Sequence, residues 1–314
     1  MAHDRRFRFG VMVPSTGSGD AFRETARKAE ALGYSTLFVP DHFVDHPLAP
    51  MPALAVAAGV TTTLRVGPLV LGNDYKHPVV LAREAATLDM LSNGRLELGI
   101  GAGWMTVDYE KAGMTLDRPG VRIARLAESI AILKGLFADG ECSFRGEHYT
   151  VTELDGRPKP VQRPHPPFIV GGGAPKMLGL AAREAQIIGI NANLRSGDAN
   201  SSDAANSLAP NPTDEKVQWI RDAAGDHFDD LEIQSLVGFV HFTEDRQGIA
   251  EAIGGGFGVS PDDALLAPVT LVGTESQMIE LLHARRERWH MSYHVIPQEA
   301  MEQFAPVVSK LSGR

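Results

Sequence analysis

Four short stretches carry residue types that can do chemistry. In Val39-Pro40-Asp41-His42-Phe43, an apolar run stops at a carboxylate and an imidazole. Histidine titrates near neutral pH and can give or take a proton at a reacting centre. The same two residues also suit a capping Asp beside a solvated His, and spacing alone leaves both readings open. His46 follows four residues later, but no further His, Cys or carboxylate has ligand-like spacing, so no metal site is expected. In Val170-Gly171-Gly172-Gly173-Ala174-Pro175-Lys176, glycines end a strand and open a helix. Bare backbone N–H groups at a helix start can hold a phosphate; a flexible turn is the plainer alternative. In Gly99-Ile100-Gly101-Ala102-Gly103-Trp104, alternating glycines clear one face of a strand. Either a flat or bulky group lies against that face, or neighbouring elements pack tightly there. The fourth stretch, Val66 to Pro78, reads VGPLVLGNDYKHP, a strand ending in polar residues and an aromatic before the proline that starts a helix.

The elements that must position these residues alternate from the start. Strands are predicted over Phe7–Pro14, Ser35–Asp41, the run RVGPLVLG, Arg95–Trp104, Pro167–Gly173, the run QIIGINA, the run LEIQSLVGFVHFT and Met291–Pro297. Helices are predicted between them. Asp20 is read as an N-cap, Pro78 as a first-turn proline, Gly33 and Gly94 as stop signals, and Thr274 with Gln277 as a capping box. A long helix from Val121 to Phe137 precedes an excursion between Gly146 and Pro167 that contains the extended piece HYTVTEL. Residues 193–212, rich in Ser, Asn, Ala, Asp and Pro, read as a flexible insertion, either a lid or plain disorder. Eight strands, each followed by a helix, predict an α/β fold of the (β/α)8 TIM-barrel type with insertions, a single domain over residues 1–314. In such a barrel the active site lies at the C-terminal strand ends. That rule selects Pro14-Ser15-Thr16, Asp41-His42-Phe43, Gly72-Asn73-Asp74, Ala102-Gly103-Trp104, Gly171-Gly172-Gly173, Asn191 and His294.

The 314 residues carry 30 Lys and Arg against 39 Asp and Glu, for a formal charge of −9. That balance argues against nucleic acid or an anionic membrane as the main partner. The one cysteine, Cys142, cannot form an internal disulfide and is read as a structural residue. The N-terminal apolar run is too short for a signal peptide and no stretch is long enough to cross a membrane, so a cytoplasmic location is expected.

Taken together and in order, FGVMVP, EALGYSTLFVPDHF, LRVGPLVLGNDYKHPVVLAREAATLDMLSNGRLELGIGAGW, PFIVGGGAPKMLGLAAREA and LVGTESQMIELL resemble the bacterial luciferase-like family of barrel oxidoreductases. The resemblance covers most of the chain. It implies that the third strand ends in a bulge with a non-prolyl cis peptide at Leu69–Val70, or one residue either side, pressed against a flavin-like ring. The Asp-His-Phe strand end resembles the branch that uses the deazaflavin coenzyme F420. By that resemblance, Asp41 bonds near the ring and His42 handles protons or orients substrate. Leu69, Val70, Leu71, Gly72 and Asn73 meet the ring, with Asn73 at its pyrimidine edge. Ala102, Gly103 and Trp104 flank the ring and its tail. Gly171, Gly172, Gly173 and Ala174 cradle the cofactor phosphate.

Two departures matter. Sugar-phosphate dehydrogenases of this branch carry an acidic proton donor where this chain has Trp104, which points to a less polar substrate. Where the family often reads Ala-Asp-Gly, this chain has Ala185-Gln186-Ile187. The expected activity is hydride transfer between F420 and a small, fairly apolar organic molecule. The alternatives are an FMNH2-dependent monooxygenase of the same fold and a non-catalytic flavin-binding protein. A homodimer is expected through helices near the second and third strands, with the small-residue run Ala53 to Val60 as a contact.

Overall fold

The computed structural model describes residues 5–314, so residues 1–4 of the predicted domain lie outside the described part. Its strands are β1 (Arg8–Met12), β2 (Thr36–Val39), β3 (Arg65–Pro68), β4 (Leu71–Gly72), β5 (Leu98–Gly101), β6 (Glu141–Arg145), β7 (Thr150–Asp155), β8 (Phe168–Gly172), β9 (Ile187–Ile190), β10 (Glu232–Leu236), β11 (Phe239–Phe242), β12 (Thr270–Gly273) and β13 (Met291–Pro297). Two compact units divide the chain. An N-terminal unit holds Val13–Glu30 and Thr36–Val170; a C-terminal unit holds the described residues up to Met12, Ala31–Ser35 and Gly171–Arg314.

In the N-terminal unit, β2 pairs in parallel with β3, β4 with β5, and β5 with the start of β8. Every residue of β2 and β5 is buried, which is what parallel strands covered on both faces require. β6 and β7 form a separate antiparallel pair; β7 falls in the predicted run HYTVTEL, whereas β6 lies ahead of the predicted excursion and is a strand absent from the sequence reading. The predicted third strand is broken in two. Between β3 and β4 lies a cis peptide at Leu69–Val70, the bond that the family resemblance implies.

The break explains the alternating glycines. A Cβ at Gly99 would collide with the Pro68 carbonyl and come within 2.9 Å of Val70 Cγ1; one at Gly101 would lie 2.8 Å from Val70 Cγ2. The face that these glycines clear is therefore filled by the protein's own bulged strand, the close-packing alternative of the sequence reading.

In the C-terminal unit, β1 pairs with β13, β13 with β10, and β10 with β9, all in parallel. The single long strand predicted over the run LEIQSLVGFVHFT is instead two. β10 stays beside β13, and β11 leaves to pair with β12, a strand absent from the sequence reading. Gly238 marks the parting, where its N–H and that of Phe239 both bond the Val269 carbonyl.

Several local expectations hold and several shift. Pro78 opens the helix Pro78–Leu91, Gly33 and Gly94 take positive φ, and Thr274 with Gln277 forms a capping box. Asp20 is not the cap of the helix Gly19–Ala31; Ser18 Oγ accepts the Ala21 N–H there, and Asp20 pairs with Arg23. Residues 193–212 are not without structure. They contain the helix Ser202–Asn206, capped by Ser201, and the start of the helix Pro210–Ala224, where proline again occupies the first turn. Among the described residues, no helix is long and apolar enough to cross a membrane.

Candidate active site

The N-terminal unit holds most of the predicted site residues, and there His42 is bonded to a carboxylate that sequence reasoning missed. Asp108 lies in the short helix Thr106–Ala112, four residues beyond Trp104, and is fully buried. Its Oδ1 accepts the backbone N–H groups of Phe43 (3.0 Å) and Val44 (3.1 Å). Its Oδ2 lies 2.6 Å from His42 Nδ1 and also accepts the Tyr75 hydroxyl at 3.4 Å. An ionised carboxylate only accepts hydrogen bonds, so Nδ1 carries the ring proton in this pair and Nε2 is the nitrogen available to a substrate. The chain beyond β2 is thus pinned by its backbone as well as by its imidazole.

The predicted Asp41–His42 pair divides. Asp41 turns the other way, and its Oδ2 accepts the Gly72 N–H at 3.0 Å, joining the end of β2 to β4. Burial pushes the Asp41 carboxyl above its ordinary range, against the Gly72 N–H and the nearby His42 and Lys76. The sequence offers no specific signal for Asp108 as the partner of His42, because the contact closes a loop of 66 residues.

Two rings pack against His42. Trp104 packs edge-on at 5.5 Å between centroids, and His46 lies 5.4 Å away on the other pairing. Burial lowers the basicity of His46, aided by His42 and opposed by Asp45 and Asp108, so this second ring is biased to its neutral form. Phe43 is 53% exposed and its ring lies tilted against Tyr75, 4.5 Å between centroids.

The strand-end backbone is held by a second set of contacts. Arg122 donates to the carbonyls of Ala102, Gly103 and Asp117. Gly103 has φ +75°, and a Cβ there would run into the Tyr109 hydroxyl. That hydroxyl donates to Asp74 (3.0 Å), whose other oxygen takes Arg125 at 2.7 Å. Leu69, Val70, Gly72, Ala102, Gly103 and Trp104 are all half-buried, so this surface is open to a ligand, whereas Leu71 is covered. Asn73 is buried, with its amide 3.5 Å from the Tyr149 hydroxyl, and presents little of itself to a ring edge.

The remaining predicted residues belong to the C-terminal unit. Gly171, Gly172, Gly173 and Ala174 are half-buried and lead into the helix Pro175–Glu184, whose first residue is proline and whose N-cap, Ala174, supplies no capping side chain. Lys176 is exposed. A Cβ at Gly171 would lie 2.6 Å from Asn191 Nδ2, and one at Gly173 would strike the Ala192 carbonyl. His294 is not a strand-end group: it lies within β13, fully buried among Phe7, Phe9 and Ser235, with its basicity brought down to about 3 by burial and by the Arg285 charge. Cys142 is buried against Gly135, and burial raises its thiol, which disfavours the nucleophilic thiolate. A cavity of about 340 Å³ opens between Phe239, His241, Ile249, Ile253 and Gln303, and none of the predicted site residues lines it.

Solved structures share this fold. The coenzyme F420 dependent tetrahydromethanopterin reductase of Methanopyrus kandleri matches over 98% of this chain and 100% of its own, with a TM-score of 0.78 at 19% identity. The fold is accordingly the α/β barrel of the (β/α)8 class. Residues 6–208 match the family described as luciferase-like monooxygenase, and the chain belongs to that family. Among curated relatives, it is 32% identical over 160 residues to the F420-dependent glucose-6-phosphate dehydrogenase of Amycolatopsis mediterranei, covering 48% of this chain and 47% of that protein. It is 31% identical over 159 residues to the oxygenase component of the flavin-dependent trigonelline monooxygenase of Acinetobacter baylyi, covering 50% of this chain and 44% of that one. The chain thus matches about half the length of each of these two relatives.

Proposed function

We propose that this member of the family transfers a hydride between coenzyme F420 and a small, fairly apolar alcohol or carbonyl compound. The observation that carries the reading is the His42–Asp108 hydrogen bond at 2.6 Å. A hydride leaving or reaching carbon has to be matched by a proton on the neighbouring oxygen. Asp108 holds the His42 ring by Nδ1, and Nε2 takes the substrate's hydroxyl proton in oxidation or returns it in reduction. The buried carboxylate also stabilises the imidazolium while that proton is held.

The half-buried surface of Leu69, Val70, Gly72, Ala102, Gly103 and Trp104 suits a flat heterocycle, because it is made of aliphatic side chains, glycine backbone and one indole, without a charged group. When bound, the deazaflavin supplies the redox chemistry. Asp41, with its raised carboxyl, is assigned a hydrogen bond beside the ring. The Gly171–Ala174 turn is assigned the anionic part of the coenzyme on its chemistry, an uncapped helix start preceded by glycines. The rings of Trp104 and His46 beside His42 favour a substrate without charge next to its reacting oxygen.

The similarity to a flavin-dependent oxygenase component keeps one second reading, an FMNH2-dependent monooxygenase. Titration of the purified protein with F420 and with FMN, oxidised and reduced, separates the two. F420 binding in the micromolar range or tighter is expected; tight FMN binding with no uptake of deazaflavin overturns the proposal. We also assign a homodimer, since the helices Pro50–Val60 and Pro78–Leu91 leave Val56, Val80, Met90 and Leu91 exposed.

A further inference from the structure

Lys216 has no part in the chemistry above, yet it is only 2% exposed on the helix Pro210–Ala224. Its ammonium group donates to two backbone carbonyls, Asn191 at 2.8 Å and Ser207 at 2.6 Å. Removing a lysine from water costs several kcal/mol unless its donors are satisfied, and here carbonyl oxygens satisfy them. Burial alone brings its basicity down to about 8.

The two acceptors lie on different pieces of chain. Asn191 immediately follows β9, and Ser207 immediately follows the helix Ser202–Asn206. A second tie runs parallel to the first, from the Asn193 N–H to Ser207 Oγ at 2.8 Å.

Residues 191–193 are the wall against which the glycine run is built. The Asn191 N–H donates to the Gly172 carbonyl at 2.9 Å. The Asn191 amide fills the space beside Gly171, and the Ala192 carbonyl fills the space beside Gly173. Whatever fixes Asn191 and Ala192 therefore fixes the direction in which the backbone amides of residues 172–174 point.

We propose that Lys216 is a positioning residue for anion binding. By clamping the Asn191 and Ser207 carbonyls, it holds the 191–193 turn against Gly171–Gly173 and so orients the amides that take the anionic part of the coenzyme. The inference rests on the assignment of that turn under the proposed function. The exposed Lys176, by contrast, offers only a screened charge and is not required.

The test uses the full chain and the variants Lys216→Met, Ser207→Ala and Lys176→Ala. F420 and FMN affinities are measured by fluorescence titration, and backbone amide exchange is followed over residues 171–175 and 191–209 without ligand. Lys216→Met is expected to weaken coenzyme binding at least tenfold and to speed exchange in both segments. Ser207→Ala removes the parallel tie without burying or exposing a charge, so it remains informative if Lys216→Met does not fold; a loss of about threefold is expected. Lys176→Ala should stay within twofold of the wild type. Wild-type affinity in both Lys216→Met and Ser207→Ala overturns the inference, as does faster exchange confined to 194–209 with affinity unchanged. A wild-type protein that binds neither coenzyme overturns the cofactor assignment instead, and the two failures are thereby distinct.

Discussion

The two units of this protein gather their loops differently: the N-terminal unit uses carboxylates beside cations, and the C-terminal unit uses buried cations. In the N-terminal unit, carboxylates collect backbone N–H groups from distant segments. Glu30 takes those of Thr62, Thr63 and Leu64; Asp89 takes Val161 and Gln162; Asp108 takes Phe43 and Val44; Glu128 takes Glu147, His148 and Tyr149. In the C-terminal unit, buried cations collect carbonyls. Lys216 takes Asn191 and Ser207, and the fully buried Arg285 takes Ala267, Pro268 and Thr270. Arg95 and Arg122 show that the first unit uses cation clamps as well. A carboxylate accepts several N–H groups and leaves the neighbouring carbonyls free; an ammonium or guanidinium does the reverse. The sign of the clamp thus decides which backbone groups a loop can offer to a ligand.

The comparison can be broken at Asp108. Asp108→Ala removes the partner of His42 and takes the acceptor from the part-buried Phe43 and Val44 amides. An orphan costs about 1–3 kcal/mol when fully buried and less where water reaches it, so a total loss near ~3 kcal/mol is expected in urea unfolding. A loss below 1 kcal/mol would mean that the clamp holds nothing. Arg285→Met is the matching experiment on the other unit. An apolar replacement of similar length recovers packing but frees carbonyls, so a smaller cost of about 1–3 kcal/mol is expected.

Acid sharpens the contrast. The depressed His294 contributes stability that is complete above pH 6.5 and is lost as pH falls toward its folded value of about 3, because the unfolded chain takes up a proton that the folded site refuses. For Glu30, burial acts to raise the carboxyl, but the N–H groups of Thr63, Leu64 and Thr62 outweigh it and bring it to about 2. Its contribution is complete above pH 4.5 and is lost as pH falls from there through 2. Amide exchange followed during a downward pH titration should therefore rise first around β13, near pH 6, and around residues 62–64 only below pH 4.5. The reverse order would refute the assignment. The smallest effect is expected at Glu128→Gln, whose neutral amide keeps an acceptor for the 147–149 loop; a cost below about 1 kcal/mol should appear in thermal unfolding.

The fold was largely legible in the sequence because its signals are local. Apolar runs ended by glycine or proline mark strands and helices, and Pro78 and Thr274 act through neighbours within a turn. The β10–β11 split was hidden because Val237-Gly238 interrupts a run whose apolar content continues on both sides. The site was half legible. The mouth rule selects His42 and Trp104, which the structure brings together, and the Leu69–Val70 bond came from family resemblance. Asp108 and Lys216 were not legible, since each works through contacts that close long loops, and an Asp or Lys on a helix ordinarily faces water. His294 was misread because residue type and strand membership do not reveal which face of β13 a side chain takes.

The central claim is that His42, held by Asp108, exchanges the proton that accompanies hydride transfer. The most direct test is single-turnover absorbance of F420 with wild-type protein and with His42→Ala, across a panel of apolar alcohols and carbonyl compounds. Coenzyme affinity within about threefold of the wild type and a rate lower by roughly 10²–10⁴-fold are expected in the variant. A His42→Ala variant that turns over the coenzyme at the wild-type rate would contradict the claim.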